Sequence, residues 1–96
     1  MNILLSKSSR KDKKFMVEVD GKKIHFGAKG YSDYTKHKDE KRMKRYLARH
    51  KPRENWQKSG INTAGFWAKH LLWSKPSLNA SIKDTNKRFN ISIVYR

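Results

Sequence analysis

The pair Asp20-Gly21 lies between two short runs of alternating apolar and polar residues, and it constrains the fold more than any other feature of the sequence. A two-residue hairpin turn of this type needs positive φ at both positions, which Asp-Gly adopts readily. The register set by this turn pairs Val19 with Lys22, Glu18 with Lys23, Val17 with Ile24, and Phe15 with Phe26. One face of the pair is then apolar and the other carries opposite charges. The sequence therefore predicts an antiparallel hairpin over residues 15–26.

The first helix is predicted to begin near Tyr34, with Ser32 or Asp33 as its N-cap, and to end before Pro52. Four residues at helical spacing form its core-facing stripe: Met43, Tyr46, Leu47 and His50. Five basic residues share the opposite side: Lys38, Lys41, Arg42, Arg45 and Arg49. This pattern indicates a helix with one packing face and one charged face.

Two further helices and a final strand complete the expected fold. Residues 64–73 are apolar almost all round, which is typical of a buried helix, and Asn62 or Thr63 is the expected N-cap. A third helix follows Ser77 as N-cap and ends at Asn90. Residues 91–95 are β-rich and predict a strand that joins the hairpin. The expected class is α+β, with a hairpin extended by the C-terminal strand to a three-stranded antiparallel sheet, packed against three helices.

The beginning of the chain looks different from the rest. Residues 6–14 are polar and basic and offer nothing to bury, so we expect a flexible basic arm over residues 1–14. A single domain over residues 15–96 is expected to follow, since 96 residues suit one domain rather than two. The absence of cysteine excludes disulfides and thiolate metal sites, as suits an intracellular protein.

The balance of charge limits the class of partner. Twenty-four Lys and Arg stand against eight Asp and Glu, a net charge of +16. Such a chain is expected to bind nucleic acid, an anionic membrane surface or an acidic protein. The apolar runs are too short to span a membrane, and the N-terminus is too short for a signal-peptide core. We therefore expect nucleic acid and no membrane, with an acidic protein partner as an alternative.

A long string of motifs runs from Phe26 to Ile82. It contains Phe-Gly-Ala-Lys-Gly-Tyr-Ser-Asp-Tyr-Thr-Lys-His-Lys-Asp from Phe26, Tyr46-Leu-Ala-Arg-His50, Thr63-Ala-Gly-Phe-Trp67, Leu71-Leu-Trp73 and Pro76-Ser-Leu-Asn-Ala-Ser-Ile82. The string resembles a family of small basic proteins encoded by large nucleocytoplasmic DNA viruses, the marseilleviruses and their relatives among them. The resemblance implies a DNA-associated protein packaged in the virion and located in the virion, the viral factory or the host nucleus. It supplies no catalytic residues.

The basic stripe of the first helix is the main candidate for phosphate contacts, because its spacing suits a helix lying along a nucleic-acid backbone. Four further candidates lie in the connections: Lys29, Tyr31, Arg53 and Trp56. Lys29 belongs to a Gly27-Ala-Lys-Gly30 loop that resembles an anion-binding turn, although a plain turn with positive φ is the simpler interpretation. Loop aromatics stack on bases or fold back onto the core, whereas Trp67 and Trp73 are expected in the core.

An enzyme is the competing hypothesis. A hairpin followed by a helix with His37 and Asp39 resembles the ββα-metal nucleases, with His25 as the base. His37 and His50, however, lie thirteen residues apart, about 20 Å along a helix, so they cannot share a metal. We therefore expect no enzyme, cofactor, metal or small-molecule substrate. The prediction is a sequence-nonspecific DNA-binding protein that acts on duplex DNA in viral genome packaging or organisation. The residues do not decide between DNA and RNA, between duplex and single strand, between a packaging and a regulatory role, or between a monomer and a homo-oligomer.

Overall fold

Four strands and four helices make up the fold in a computed structural model that describes all residues, 1–96. The strands are β1 (Asn2–Lys7), β2 (Lys13–Val19), β3 (Lys22–Ala28) and β4 (Ser92–Tyr95). The helices are α1 (Tyr34–His37), α2 (Glu40–His50), α3 (Ala64–Leu72) and α4 (Leu78–Phe89). Short 3-10 turns occupy Lys51–Arg53 and Lys58–Gly60. The predicted α+β class is confirmed.

The hairpin forms as the sequence predicts. Strands β2 and β3 pair antiparallel with Val19 opposite Lys22 and Phe15 opposite Phe26, which confirms the predicted register. Asp20 and Gly21 both take positive φ, 48° and 80°. The two-residue turn therefore fixes the register of the strands, and the register determines which side chains share each face of the hairpin.

The flexible arm expected over residues 1–14 is replaced by ordered structure. Strand β1 lies inside the sheet, antiparallel to β2 and parallel to β4, and the sheet order is β3-β2-β1-β4. Ile3 and Leu5 are fully buried on its inner face. The prediction of an arm was wrong because two alternating apolar residues are enough to bury one face of a strand. The sheet is therefore four-stranded and mixed, and β4 pairs with β1 rather than with the hairpin.

The predicted first helix is divided into two. Lys38 takes the left-handed conformation with φ of 56° and ends α1. Asp39 then caps α2 by accepting hydrogen bonds from the backbone N–H groups of Lys41 and Arg42. An aspartate that caps a new helix stabilises a break at that position. The later helices are confirmed, with Thr63 and Ser77 as N-caps.

Helix α3 packs against the inner face of the sheet and forms the centre of the core. Phe66, Trp67 and Leu71 are fully buried, and the Trp67 indole N–H donates to the backbone oxygen of Ile61 over 2.8 Å. Gly27 takes φ of +79°, and a Cβ there would lie 2.8 Å from Cδ1 of Leu72. This close approach brings the end of β3 against α3. None of the helices has the length and apolar character to cross a bilayer.

Candidate nucleic-acid interface

A cleft of about 390 Å³ lies where the loop after β3 meets helix α2. We call it the arginine cleft, because Arg42 and Arg49 both line it. Its other polar lining residues include Lys14, Tyr31, Asp33 and His50, and Leu72 of α3 contributes to its apolar surface. The cleft therefore joins the sheet, the loop and two helices, so its shape depends on the whole fold.

The two arginines of the cleft are not neutralised by acidic side chains. Arg42 and Arg49 are seven residues apart, which places them on the same side of α2 and about 10.5 Å apart along its axis. Neither forms an ion pair, and the same is true of Lys41 and Arg45, which are exposed outside the cleft. On this helix only Lys44 has an acidic partner, Glu40, at 3.2 Å. Four cations of α2 are thus available to an anionic ligand.

Aromatic rings form one wall of the arginine cleft. The rings of Tyr46 and Trp73 are parallel within 3° and 4.1 Å apart, and His50 stacks on Tyr46 at 4.1 Å. Burial, with a contribution from the Glu54 carboxylate, raises the pKa of Tyr46 to about 12. The phenol therefore stays protonated at neutral pH and adds no negative charge to the cleft.

Asp33 is the acidic residue of the arginine cleft, and its charge is already compensated. Its Oδ2 lies 2.6 Å from Nζ of Lys14, and both side chains are largely buried. Its Oδ1 accepts hydrogen bonds from the backbone N–H and the hydroxyl of Thr35, so Asp33 is the N-cap of α1. The Lys14–Asp33 ion pair links the loop after β3 to strand β2. The uncompensated charge of the cleft is therefore positive, because it comes from Arg42 and Arg49.

The Gly27-Ala-Lys-Gly30 segment is divided between a strand and the turn that follows it. Gly27 and Ala28 belong to β3, and Gly30 takes φ of +91° in the turn that follows. Lys29 lies outside the arginine cleft and instead lines a second cleft of about 330 Å³, which we call the lysine cleft. Five of its eight lining residues are lysines: Lys7, Lys13, Lys14, Lys29 and Lys36.

The other predicted contact residues are divided between the interface and the scaffold. Tyr31 lines the arginine cleft and is 74% exposed, as a stacking residue requires. Lys38 instead donates from Nζ to the backbone oxygens of Thr35 and Pro76, linking α1 to the start of α4. Arg53 is exposed in the 3-10 turn after α2 and lines neither cleft.

Trp56 does not present its ring to the arginine cleft. It is half-buried beside α3, with Nζ of Lys69 5.7 Å from its ring centroid. Its backbone oxygen is hydrogen-bonded to Nε2 of His70 over 2.9 Å. Of the two alternatives given for the loop aromatics, the packing of this ring against the domain favours the second, and a contact between Trp56 and a base stays a prediction.

The residues of the nuclease hypothesis are separated in the fold. Oγ of Ser8 lies 2.7 Å from Nδ1 of His25, and Nδ1 of His37 accepts from the backbone N–H of Asp39. Ile24 and Phe26 are buried on the helical side of the sheet, so His25 between them faces the opposite side. No group of three His, Asp or Glu side chains is arranged to hold a metal ion.

Most of the residues that line the arginine cleft were not predicted from the sequence as site residues, and three of them are informative. Lys14 fell within the expected arm, His50 was assigned to packing, and Trp73 was assigned to the core, although it is only half-buried. The stripe spacing on α2 indicates Tyr46 and His50, but nothing local indicates that their partner is Trp73. That neighbour is set by the tertiary packing of α2 beside the end of α3.

The comparisons with known proteins give one match. No curated protein and no solved structure matches the chain. The model of a family described as "Family of unknown function (DUF5754)" matches residues 3–50. The match spans half of the chain and runs from β1 to the end of α2, so it includes both arginines of the cleft. The chain therefore belongs to the DUF5754 family, a family of unknown function.

Proposed function

We propose that this protein binds DNA without sequence specificity, through phosphate contacts made by the arginine cleft and the exposed cations of α2. The observation that carries the proposal is the pair of unpaired arginines, Arg42 and Arg49, lining one cleft beside the exposed ring of Tyr31. Arginine binds phosphate in a forked, two-bond geometry that lysine lacks. A phosphate bound between the two arginines would not be repelled by a free carboxylate of the cleft, since Asp33 is paired with Lys14.

The row of cations on α2 extends this contact beyond one phosphate. Lys41 and Arg45 lie on the outward side of the helix, next to the cleft arginines in the helical pattern. Along one DNA strand a phosphate recurs for every 3.4 Å or so of helix axis, so the 10.5 Å or so between Arg42 and Arg49 matches several phosphates. The helix therefore suits a backbone lying along it.

The proposed binding is nonspecific because phosphate contacts carry no sequence information. Tyr31 is the aromatic residue placed to contact a base, and stacking tolerates every base. We propose duplex DNA as the ligand and a role in packaging or organising a genome, in the viral setting that the sequence resemblance implies. We further propose that the protein binds without catalysis.

The test is a titration of the protein against duplex DNA at several salt concentrations. The logarithm of the affinity should fall with the logarithm of salt with a slope of roughly −4 to −8, because each phosphate contact releases a counterion. Two duplexes of unrelated sequence should bind within about tenfold of each other. Single-stranded DNA and RNA of the same length serve as competitors. Tighter binding of either one would show that it, rather than duplex DNA, is the ligand.

A pair of matched variants separates the interface from net charge. Replacing Arg42, Arg45 and Arg49 by Gln should flatten the salt slope by about two to three units, while glutamine keeps the helix stable. Replacing Lys75, Lys83 and Lys87 by Gln removes the same charge from exposed positions without ion pairs, and it should change the slope by less. Equal losses from the two variants would contradict a defined interface. Plasmid that stays intact with Mg²⁺, Mn²⁺ or Zn²⁺ is the result expected of a protein without nuclease activity.

A further inference from the structure

The lysine cleft lies outside the helix that the proposed function uses. Its five lysines come from four separate segments: the end of β1, the start of β2, the turn after β3, and α1. Lysines in a row along one helix suit an extended strand of phosphates. Lysines from four segments around one hollow of about 330 Å³ instead suit a compact anion that several of them contact together.

Four of these lysines have no internal counterion. Lys14 is paired with Asp33, but Lys7, Lys13, Lys29 and Lys36 form no ion pair. No acidic side chain lines the lysine cleft. Like charges held close together on a folded chain repel one another and favour the binding of an anion that screens them. The fold therefore maintains a concentrated positive charge at a concave site.

The number of free cations indicates the charge of the ligand. One phosphate group carries about −1.5 to −2 at neutral pH and would leave about half of four lysines uncompensated. A phosphodiester of a nucleic-acid backbone carries a single charge. A chain of linked phosphates concentrates several charges within the volume of the cleft. Lysine provides point charges without fixed directionality, so it adapts to the many oxygens of such a group.

We infer that the lysine cleft binds a compact group of linked phosphates, such as a triphosphate, at a site separate from the DNA-binding face of α2. Two sources share this chemistry: a free molecule, such as inorganic polyphosphate or a nucleoside triphosphate, and the 5′-triphosphate end of a nucleic acid. Lys14 lines both clefts, and its bond to Asp33 forms part of the boundary between them. The inference goes beyond the proposed function and does not depend on it.

The test is calorimetric titration of the full chain with inorganic tripolyphosphate and with orthophosphate at about 0.15 M salt. Tripolyphosphate should bind at one site per chain and at least about tenfold more tightly than orthophosphate, since it pairs with more of the lysines. Equal affinities for the two anions, or many weak sites per chain, would overturn the inference.

Two triple variants locate the site. Replacing Lys7, Lys29 and Lys36 by Gln should weaken tripolyphosphate binding by about tenfold or more, and these exposed side chains make no hydrogen bond that the fold requires. The triple variant at Lys75, Lys83 and Lys87 removes equal charge and should weaken it less than about threefold. A circular dichroism spectrum like that of the wild type and a thermal midpoint no lower than that of the wild type show that each variant is folded. Equal weakening by the two triple variants would show that net charge alone attracts the anion.

The final comparisons separate this site from the DNA interface and identify the source. Arg42→Gln with Arg49→Gln should reduce duplex affinity and leave tripolyphosphate binding within about threefold. Wild-type protein that binds tripolyphosphate but not duplex DNA would contradict the proposed function alone, and the reverse would contradict this inference alone. An oligonucleotide with a 5′-triphosphate that displaces tripolyphosphate better than its 5′-hydroxyl form indicates a nucleic-acid end. Displacement by a free nucleoside triphosphate, with no difference between the oligonucleotides, indicates the free ligand.

Discussion

His70 is the side chain whose ionisation is most strongly coupled to the fold. It is 2% exposed, lies between the rings of Phe66 and Phe89, and is hydrogen-bonded through Nε2 to the backbone oxygen of Trp56. Because a carbonyl oxygen only accepts, Nε2 carries the proton and Nδ1 is left buried without a partner. Burial lowers the pKa of His70 to about 4, although the bond to Trp56 opposes the shift.

The depressed pKa predicts a loss of stability in mild acid. The ordinary pKa of histidine is 6.5, so below that pH His70 is protonated in the unfolded chain. In the folded protein it becomes protonated only near pH 4. The free energy of unfolding should therefore fall as pH decreases from 6.5 to 4, by an amount on the order of 3 kcal/mol. Urea unfolding followed at several pH values measures this slope.

His70→Gln provides the control, because the glutamine amide can still donate to the Trp56 oxygen but does not titrate. The variant is expected to be less stable at pH 7, since the amide packs poorly between two aromatic rings. The difference in unfolding free energy between wild type and variant should shrink as pH falls to 4, whatever the carboxylates contribute to both. Parallel curves for the two proteins would show that His70 is not the group responsible.

At the scale of elements, strand β1 holds the sheet together. It pairs with β2 on one side and β4 on the other, so it joins the hairpin to the end of the chain. Its inner residues, Ile3 and Leu5, are fully buried, whereas Leu4 between them is 37% exposed on the outer face. The alternation along these three residues allows the two faces of one strand to be compared directly.

Substitutions in β1 should therefore differ sharply by face. Ile3→Ala or Leu5→Ala should lower the free energy of unfolding by about 2–5 kcal/mol each, through lost apolar burial and a residual cavity. Leu4→Ala should lower it by roughly 0.5 kcal/mol, because the side chain already contacts water and has little packing to lose. Denaturant unfolding of the three variants checks the prediction. Three equal small effects would return residues 1–14 to the flexible arm expected from the sequence.

The elements that sequence analysis identified are those with local signals. The Asp20-Gly21 turn, the Thr63 and Ser77 caps and the Asn90 stop act within a few residues, and each lies where it was predicted. Strand β1 was missed because one of its partners, β4, lies at the other end of the chain: Asn2 pairs with Ser92. Parallel strands so far apart in the sequence are not joined by a tight turn, so no local turn signal indicates their pairing. The break at Lys38 was missed because a single N-cap was expected, at Ser32 or Asp33, whereas Asp39 caps a second helix.

The candidate site shows the same division. The cations of α2 follow from periodicity, and Arg42 and Arg49 were predicted with them. Arg42 and Arg49 line the cleft whereas Lys41 and Arg45 do not, because of where α2 meets Trp73 and the loop after β3. Periodicity does not specify that position. Of the lysine cleft only Lys29 was predicted as a site residue, because the five lysines are scattered over residues 7–36 and meet only when β1 and β2 pair.

The whole molecule carries a large uncompensated charge on a small body. Only four of its 24 Lys and Arg residues form ion pairs: Arg10, Lys14, Lys44 and Arg88. The others lie within a body of 34 × 29 × 25 Å. The Debye length is about 30 Å at 0.01 M salt, so at that concentration nearly every cation repels every other across the fold. Unfolding relieves this repulsion by moving the charges apart.

Salt should therefore stabilise this protein in the absence of any ligand. Raising NaCl from about 0.01 M to 0.15 M shortens the Debye length to about 8 Å, which is well below the dimensions of the molecule. If the repulsion removed is about 1 kcal/mol, the thermal midpoint should rise by roughly 4–8 °C, as measured by circular dichroism. The variant with Lys75, Lys83 and Lys87 replaced by Gln should begin with a higher midpoint at low salt and gain less from added salt. A midpoint that is independent of salt in both proteins would show that the unfolded chain is as strongly repelled as the folded one, and the charge would then favour ligand binding without any cost to the free fold.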